Sequence, residues 1–404
     1  MEYDDPERGR AVAARVREFV HEEVVPVERA FLGDGPVTDE AVRDLQAKAR
    51  EYDVYGPQIP EEYGGLGMDF RAMLPVFEAA GRSLLGPAAL RADAPDEGNM
   101  HTLELVGTED QKERWLKPLA EGTAKSGFSM TEPAPGAGSD PKMLRTTARK
   151  EGDEWVIDGH KWWTTQGGEA DVLLVMARTD PDAHPYEGCS IILVPADADG
   201  VEIVRDIPHL SDGLTGTGHA EIRYDDVRVP EENLLGAENA GFAIAQQRLG
   251  PARLTHCMRF SGMAERALDV AKAYTSTREA FDGSLADKQA IRFEIADTET
   301  RLHAARTMVR HAARQIAAGE EARVPVSMSK TFAAEVAQDT IDTAVQLCGA
   351  SGIGKDLPLA DFYEAVRQFR IIDGADEVHK RVIARDAFSE VDTGEVAELP
   401  RYDE

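Results

Sequence analysis

The spacing of apolar residues changes period twice along the chain. Near the start, Val12, Val16, Phe19, Val20, Val24 and Val27 recur at helical spacing and predict an amphipathic helix that Pro26 kinks or ends. Residues 59–69, IPEEYGGLGMD, read as a Gly-rich loop. Helical pattern with Pro and Gly breaks returns over residues 77–105. Thr108 and Gln111 then form a capping-box signature for a helix ending near Gly122. From about residue 124 to 236 the period becomes two. TTARKEG, EWVIDGHKWWTT, DVLLVMAR, SIILVPAD, VEIVRDI and HAEIRYDDVRVP predict strands, with turns at Glu151-Gly152 and Asp158-Gly159. They suit a small antiparallel barrel or sandwich. After residue 237 the pattern is helical again. Gly250-Pro251 interrupts the first helix, Gly319 ends one long core helix and Gly349 another, and PLADFYEAVRQFRI and ADEVHKRVIARDAF form the last two. The polar, acidic residues from Val391 onward are expected to fray. The chain therefore reads as mainly α with a central β-domain: helical over 1–123, β over 124–236 and helical over 237–404.

Composition narrows the class. A formal net charge of −29 argues against nucleic acid and anionic membrane as partners, although it also fits a trait of solubility or salt tolerance. Cys189, Cys257 and Cys348 are far apart and read as buried reduced thiols. Glu2, Asp4 and Asp5 do not begin a signal peptide, and no apolar run reaches transmembrane length, so a cytoplasmic protein without membrane insertion is expected.

Two segments carry candidate chemistry. FSMTEPAPGAGSD, residues 128–140, is a Gly/Pro/Ser loop leaving an apolar strand. KWWTTQGG, residues 161–168, joins a Trp pair to hydroxyls and glycines. Glycines admit close backbone approach and hydroxyls add donors, so together they suit a flat, polar-edged cofactor, a flavin or a nucleotide. GASGIGK, residues 349–355, mimics a phosphate loop, but Asp356 follows where Ser or Thr is needed and a helix precedes it. No Gly-x-Gly-x-x-Gly follows a strand, and His21-Glu22 lacks the second His of a zinc-protease helix. No metal site is expected.

These segments resemble, in order, the motifs of the acyl-CoA dehydrogenase family. IPEEYGGLGMD, GTEDQKERWLKPLAEG, FSMTEPAPGAGSD, WVIDGHKWWTTQGG, VRVPEENLLG, REAFDGSLADKQ and QLCGASGIG all fall in the family's register over nearly the whole chain. GNMHTLELVGTEDQ, RLGPARLTHCMR and DGADEVHKRVIAR are similar to the branch often fused to kinase-like or phosphatase-like domains, associated with medium, long or hydroxylated acyl-CoAs. The sequence departs from the family pattern in four places. Ala134 and Pro135 lengthen the signature loop, FDGSL replaces Phe-Gly-Lys-Pro-Leu, Ala350 replaces a Gly, and Ala375 and Glu377 stand for Thr and Gln.

The resemblance implies a three-domain fold: an N-terminal helical domain, a middle antiparallel β-barrel and a C-terminal four-helix bundle. It implies FAD, an acyl-CoA substrate oxidised to a trans-2-enoyl-CoA in fatty-acid β-oxidation, an electron-transfer flavoprotein as acceptor, and a homodimer or homotetramer. Because coenzyme A is a polyanion, local Lys or Arg must offset the chain's charge. The family's catalytic base falls on Asp373, whose pKa burial should raise; the same residue could instead be a helix N-cap. Asp376 and Glu377 are fallback bases. Arg253 matches a family arginine near the active site, or makes an ordinary ion pair. Met130, Thr131, Gly138 and Ser139 would donate to the flavin, with Trp163 packed on its ring and Thr165 on its edge; one of Trp162 and Trp163 would be core. Arg278, Phe281, Gln289, Gln346, Gly349 and Gly352 would reach a neighbouring subunit's cofactor, though Arg278 also fits a solvated helix end and Gly349 a C-cap. Two rival functions share these motifs: an O2-using oxidase or monooxygenase on a non-thioester substrate, and a non-catalytic partner subunit that keeps the fold.

Overall fold

The computed structural model describes residues 3–31, 37–210, 218–389 and 391, so nearly all of the tail expected to fray lies outside the described residues. The N-terminal helices are α1 (Glu7–Phe19), α2 (Val25–Phe31), α3 (Asp39–Glu51), α4 (Phe70–Ala80), α5 (Gly86–Ala89), α6 (Asp96–Val106), α7 (Glu109–Gln111) and α8 (Lys117–Glu121). The apolar stripe of α1 is buried through Val24, while Val27 is only partly so. Pro26 does not end the run. One π-helical turn, Val20–Val24, joins α1 to α2 and shifts the phase of the carbonyls just where Pro26 has no N–H to offer. The capping box forms as expected: the Gln111 N–H donates to Thr108 Oγ1 at 3.2 Å, and the Thr108 N–H to Gln111 Oε1 at 3.1 Å. Gly122, at φ 79°, ends α8.

The strands are β1 (Ser126–Ser129), β2 (Thr147–Glu151), β3 (Glu154–Thr165), β4 (Val172–Arg178), β5 (Cys189–Pro195), β6 (Val201–Asp206), β7 (His219–Pro230) and β8 (Leu234–Leu235). Among the described residues they form one eight-stranded sheet in the order β6-β7-β3-β2-β4-β5-β8, with β1 beside β4. Pairing is antiparallel except where β1 and the start of β2 run parallel to β4. β4 is buried on both faces. Val172, Leu174 and Met176 join the helical core, while Leu173, Val175 and Ala177 join a core of the sheet's own around Trp155 and Ile222. Gly152, at φ 65°, makes the β2–β3 turn. Asp158-Gly159 is not a turn but a register shift inside β3, opposite β7. A Cβ on Gly159 would come within 2.3 Å of the Thr146 side chain, so close packing accounts for the glycine.

The C-terminal helices are α9 (Gly241–Thr277), α10 (Gln289–Ala317), α11 (Arg323–Cys348), α12 (Ala350–Ile353), α13 (Leu359–Arg367) and α14 (Asp376–Ala387). α11 packs against α9, α10, α13 and α14. Gly250-Pro251 does not interrupt α9, which runs unbroken for 37 residues. A mid-helix proline costs about 3 kcal/mol, and the long buried face of α9, from Ile244 to Thr275, offsets it.

The three regions meet at the first turn of α6. Asp96 Oδ1 accepts from the Ser126 N–H at 2.8 Å, and its Oδ2 lies 2.9 Å from Arg91 and accepts from Gln166 Nε2 at 3.1 Å. Asn99 Nδ2 donates to Ser126 Oγ at 2.9 Å, and Arg248 Nε of α9 donates to Asn99 Oδ1 at 3.0 Å. All of these side chains are buried, so the network fixes helices, sheet and α9 relative to one another.

Candidate active site

The 128–140 loop and β3 are joined by backbone and by charge. The Trp162 N–H donates to the Thr131 carbonyl at 3.0 Å. Lys161, fully buried, donates from Nζ to the Met130 carbonyl at 2.8 Å and to Glu132 Oε1 at 3.0 Å. Glu132 also accepts from the backbone N–H of Ala137 (3.1 Å), Arg145 (2.8 Å) and Thr146 (2.8 Å), which folds the signature loop around one carboxylate. β3 shifts register between Lys161 and Thr164, and there Trp163 sits at φ 55°. A bulky residue in left-handed backbone is strained, and strain of this kind concentrates at functional sites. Trp163 is 42 % exposed, flanked by Trp162, His209 and His219. Trp162 is partly buried, so neither indole is plain core. Thr165 Oγ1 lies 3.0 Å from His219 Nδ1. Gly138 and Ser139 are exposed, and a Cβ on Gly138 would meet nothing within 4 Å.

Asp373 lies between Gln368–Arg370 and α14, at φ 54°, followed by Gly374 at φ 98°. It is not the N-cap of α14; that position is Ala375, which makes no side-chain cap. Its carbonyl accepts from Arg253 Nε at 2.9 Å and lies 3.2 Å from His379 Nε2. The Asp373 side chain keeps 18 % of its exposure, but Oδ2 is buried, and His256 Nε2 approaches it to 3.1 Å. Among the described residues no hydrogen bond takes up the Asp373 N–H. Asp376, the first residue of α14, is bound by Lys330 Nζ (3.2 Å) and Arg370 Nε (2.8 Å), while Glu377 is exposed.

The expected rise in the Asp373 pKa does not occur. Burial pushes it up, but His256, Arg248, Arg253 and Arg259 together outweigh that and leave the carboxyl below its ordinary value. His256 is itself pushed down to about 3, by burial first and then by Arg259. Glu97 shows the opposite balance: burial raises it over the pull of Arg259 and Arg248. Arg248 links this cluster to the wall, with its guanidinium 4.3 Å from the centre of the Phe128 ring.

The remaining candidates lie apart. Arg278 ends α9, Phe281 is 86 % exposed at φ 52°, and Gln289 opens α10. Gln346 and Gly349 are exposed at the end of α11, where Gly349, at φ 58°, also breaks the helix. Gly352 is buried, and a Cβ there would come within 2.4 Å of the Val345 carbonyl oxygen. Among the described residues no hydrogen bond joins these six to the 128–140 loop.

Comparison with known proteins decides the family. Models of the acyl-CoA dehydrogenase N-terminal, middle and C-terminal domains match residues 6–123, 127–227 and 239–388. The chain belongs to the acyl-CoA dehydrogenase family. It is 42 % identical over 385 residues to a Mycobacterium tuberculosis protein described as probable acyl-CoA dehydrogenase FadE2, covering 92 % of this chain and 93 % of that one. It is 35 % identical to acyl-CoA dehydrogenase family member 10 of Mus musculus over 93 % of this chain but only 36 % of the mouse protein. The crystal structure of an acyl-CoA dehydrogenase from Geobacillus kaustophilus superposes with a TM-score of 0.84 at 30 % identity, covering 96 % of this chain and 100 % of that one.

Members of this family are FAD-dependent oxidoreductases. The wall fits that cofactor on its own terms: an exposed indole held in strained backbone, an open Gly-Ser loop and hydroxyls at its edge. No helix among the described residues is long and apolar enough to cross a membrane. Arg248, His256, Arg259 and Glu97 did not stand out in the sequence. Their signal was faint: Arg248, Thr255, His256 and Arg259 recur at helical spacing on one face of α9 among apolar neighbours such as Leu254, Met258 and Phe260, and a polar face of that kind needs partners, while Glu97 on α6 carried no such signal.

Proposed function

We propose that the chain removes hydrogen from Cα and Cβ of an acyl-CoA thioester to give a trans-2-enoyl-CoA, with Asp373 as the base. FAD, when bound, supplies the two-electron acceptor for the hydride leaving Cβ. The Cα–H bond breaks toward Asp373, and its electron pair becomes the new double bond. The observation that carries this reading is a carboxylate held below its ordinary pKa by His256, Arg248, Arg253 and Arg259, on strained backbone whose carbonyl is tied by Arg253. A depressed pKa makes a weak base, so the thioester must meet it with an acidified Cα–H. The Asp373 N–H donates to the thioester carbonyl and so stabilises the enolate-like transition state, a role supported by its having no hydrogen-bond acceptor among the described residues. Thr131, Gly138, Ser139 and the Met130 N–H are the donors for the flavin, Trp163 packs on its ring and Thr165 bonds its edge.

Arg278, Phe281, Gln289, Gln346 and Gly349 are exposed, with Gly352 buried beside them, which supports a role for this surface toward the cofactor of a second subunit in a homodimer or homotetramer. Light scattering on the flavin-loaded protein should give an oligomer, and a loaded monomer would remove that role. The acceptor that reoxidises the enzyme is an electron-transfer flavoprotein. Anaerobic mixing with an acyl-CoA panel should bleach the flavin. Asp373→Asn should keep the flavin and slow bleaching about 10²- to 10⁴-fold, the range of a lost general base; bleaching at the normal rate would move the base elsewhere.

A further inference from the structure

The Asp373 carboxylate has one oxygen shut away and one open, and the shut side is built from side chains of two regions. His256 sits on α9 with its ring 6.4 Å, centre to centre, from both Phe260 and Phe369. Its Nδ1 accepts from Arg259 Nη2 at 3.1 Å. A guanidinium has no acceptor, so Nδ1 must be the bare nitrogen and the ring proton resides on Nε2. That Nε2 stands 3.1 Å from Asp373 Oδ2, which is buried and has no aligned hydrogen bond. Arg259 is anchored in turn on the N-terminal region: Nη1 donates to the Ala92 carbonyl at 2.8 Å, and Nη2 lies 4.0 Å from Glu97 Oε2.

We propose that His256 is a positioning residue for the base. Its Nε2–H holds Oδ2 of Asp373, Arg259 fixes the tautomer that makes this possible, and Oδ1 is left as the oxygen that takes the substrate proton. The inference rests on the reading of Asp373 as the base. It explains how a side chain one methylene shorter than Glu is kept in place: loosely aligned contacts of this kind tighten when substrate binds. His256 stays neutral near pH 7, so it steers without adding charge. The charged and titratable groups that act on this pair are Arg248, Arg253 and Arg259 from α9, Glu97 from α6, Lys330 from α11 and His379 from α14, whose Nε2 lies 3.2 Å from the Asp373 carbonyl.

The test compares three substitutions in the flavin-loaded protein: His256→Leu, which has no donor; His256→Asn, whose amide falls short of Oδ2; and His256→Gln, whose amide reaches it. The measurement is the pH dependence of anaerobic flavin bleaching by a saturating acyl-CoA, with flavin content and thermal midpoint recorded for each variant. Loss of a hydrogen bond to a charged group should move the pH of half-maximal bleaching upward by about one to two. The Leu and Asn variants are expected to show that move with little change in acyl-CoA affinity, and Gln to restore the native profile. Asn is polar and smaller than His, so it reports even where Leu does not fold. A native profile in the Asn variant, or a Gln variant no better than Asn, overturns the proposal. Asp373→Asn separates the two readings: normal bleaching there removes the base itself, whereas lost bleaching there with a native His256→Asn profile removes only the positioning role.

Discussion

Lys161 and Lys330 are both fully buried against a carboxylate, Lys161 at 3.0 Å from Glu132 and Lys330 at 3.2 Å from Asp376. Each pair adjoins a residue in left-handed backbone, Trp163 at φ 55° in the wall and Asp373 at φ 54° in the loop before α14. The surroundings differ. Glu132 gathers three backbone N–H groups besides its lysine, whereas Asp376 is held by side chains, Lys330 and the partly exposed Arg370. A carboxylate that satisfies backbone donors cannot be exchanged for an apolar residue without stranding them. One that satisfies only side chains can be exchanged together with its partner. The wall is therefore preorganised by its backbone, and the Asp373 loop by a replaceable clamp.

The largest effects should come from paired replacements. Glu132→Leu with Lys161→Met strands three N–H groups, at about 1–3 kcal/mol each, and should lower stability by several kcal/mol with loss of bound flavin. Lys330→Met with Asp376→Leu leaves only Arg370, which water can reach, and should be near neutral or stabilising by about 1–4 kcal/mol. Lys330→Met alone leaves the buried Asp376 with Arg370 as its counter-charge, so it should destabilise, but by less than the about 3–5 kcal/mol of a fully stranded buried charge. Denaturant unfolding with flavin release measures all three. Equal losses in the two double variants would erase the distinction between wall and loop.

The two regions should also separate by pH. Around the Asp373 loop His256 is pushed down to about 3 and His379 to about 4, both chiefly by burial, from an ordinary 6.5. The unfolded chain then binds protons that the folded one refuses. This contribution to stability is complete above pH 6.5 and is lost as the pH falls toward 4. At the wall Lys161 is pushed down to about 8 by burial against the pull of Glu132, from 10.5. Between pH 8 and 10.5 the unfolded chain again holds the extra proton, so this group makes stability rise with pH. Each effect is on the order of a few kcal/mol. His379→Gln should flatten the acid limb and leave the alkaline limb intact. An unchanged acid limb in His379→Gln would place the acid sensitivity elsewhere.

What could be read from the sequence was local. Period, capping at Thr108 and Gly122, the β2–β3 turn at Gly152 and the order of motifs depend on neighbours in the chain, and the structure has them. Readings that failed depended on distant packing. Asp158-Gly159 looks like a turn, yet Thr146 lies against Gly159 and keeps β3 extended. Gly250-Pro251 looks like a helix break, yet burial along α9 carries the helix through. The sign of the Asp373 shift could not be read because it is set by residues more than a hundred positions upstream, Arg248, Arg253, His256 and Arg259, which converge on it only in the fold.

The smallest effect lies in the backbone itself. Asn and Gly tolerate left-handed φ better than Ala does. Asp373→Ala should therefore be less stable than Asp373→Asn or Asp373→Gly by about 1 kcal/mol, roughly 2 °C in a chain of this size. Trp163→Ala against Trp163→Gly asks the same of the wall, where both members of the pair lack the ring and only strain differs. The Ala penalty should be larger at Trp163, because the neighbouring Trp162 N–H is fixed to Thr131 and Lys161 is fixed to Glu132, so the chain cannot relax. At Asp373 the backbone is tied through its carbonyl to the side chains of Arg253 and His379, which can follow a small shift. A larger penalty at Asp373 than at Trp163 would reverse the assignment of rigid wall and adjustable loop.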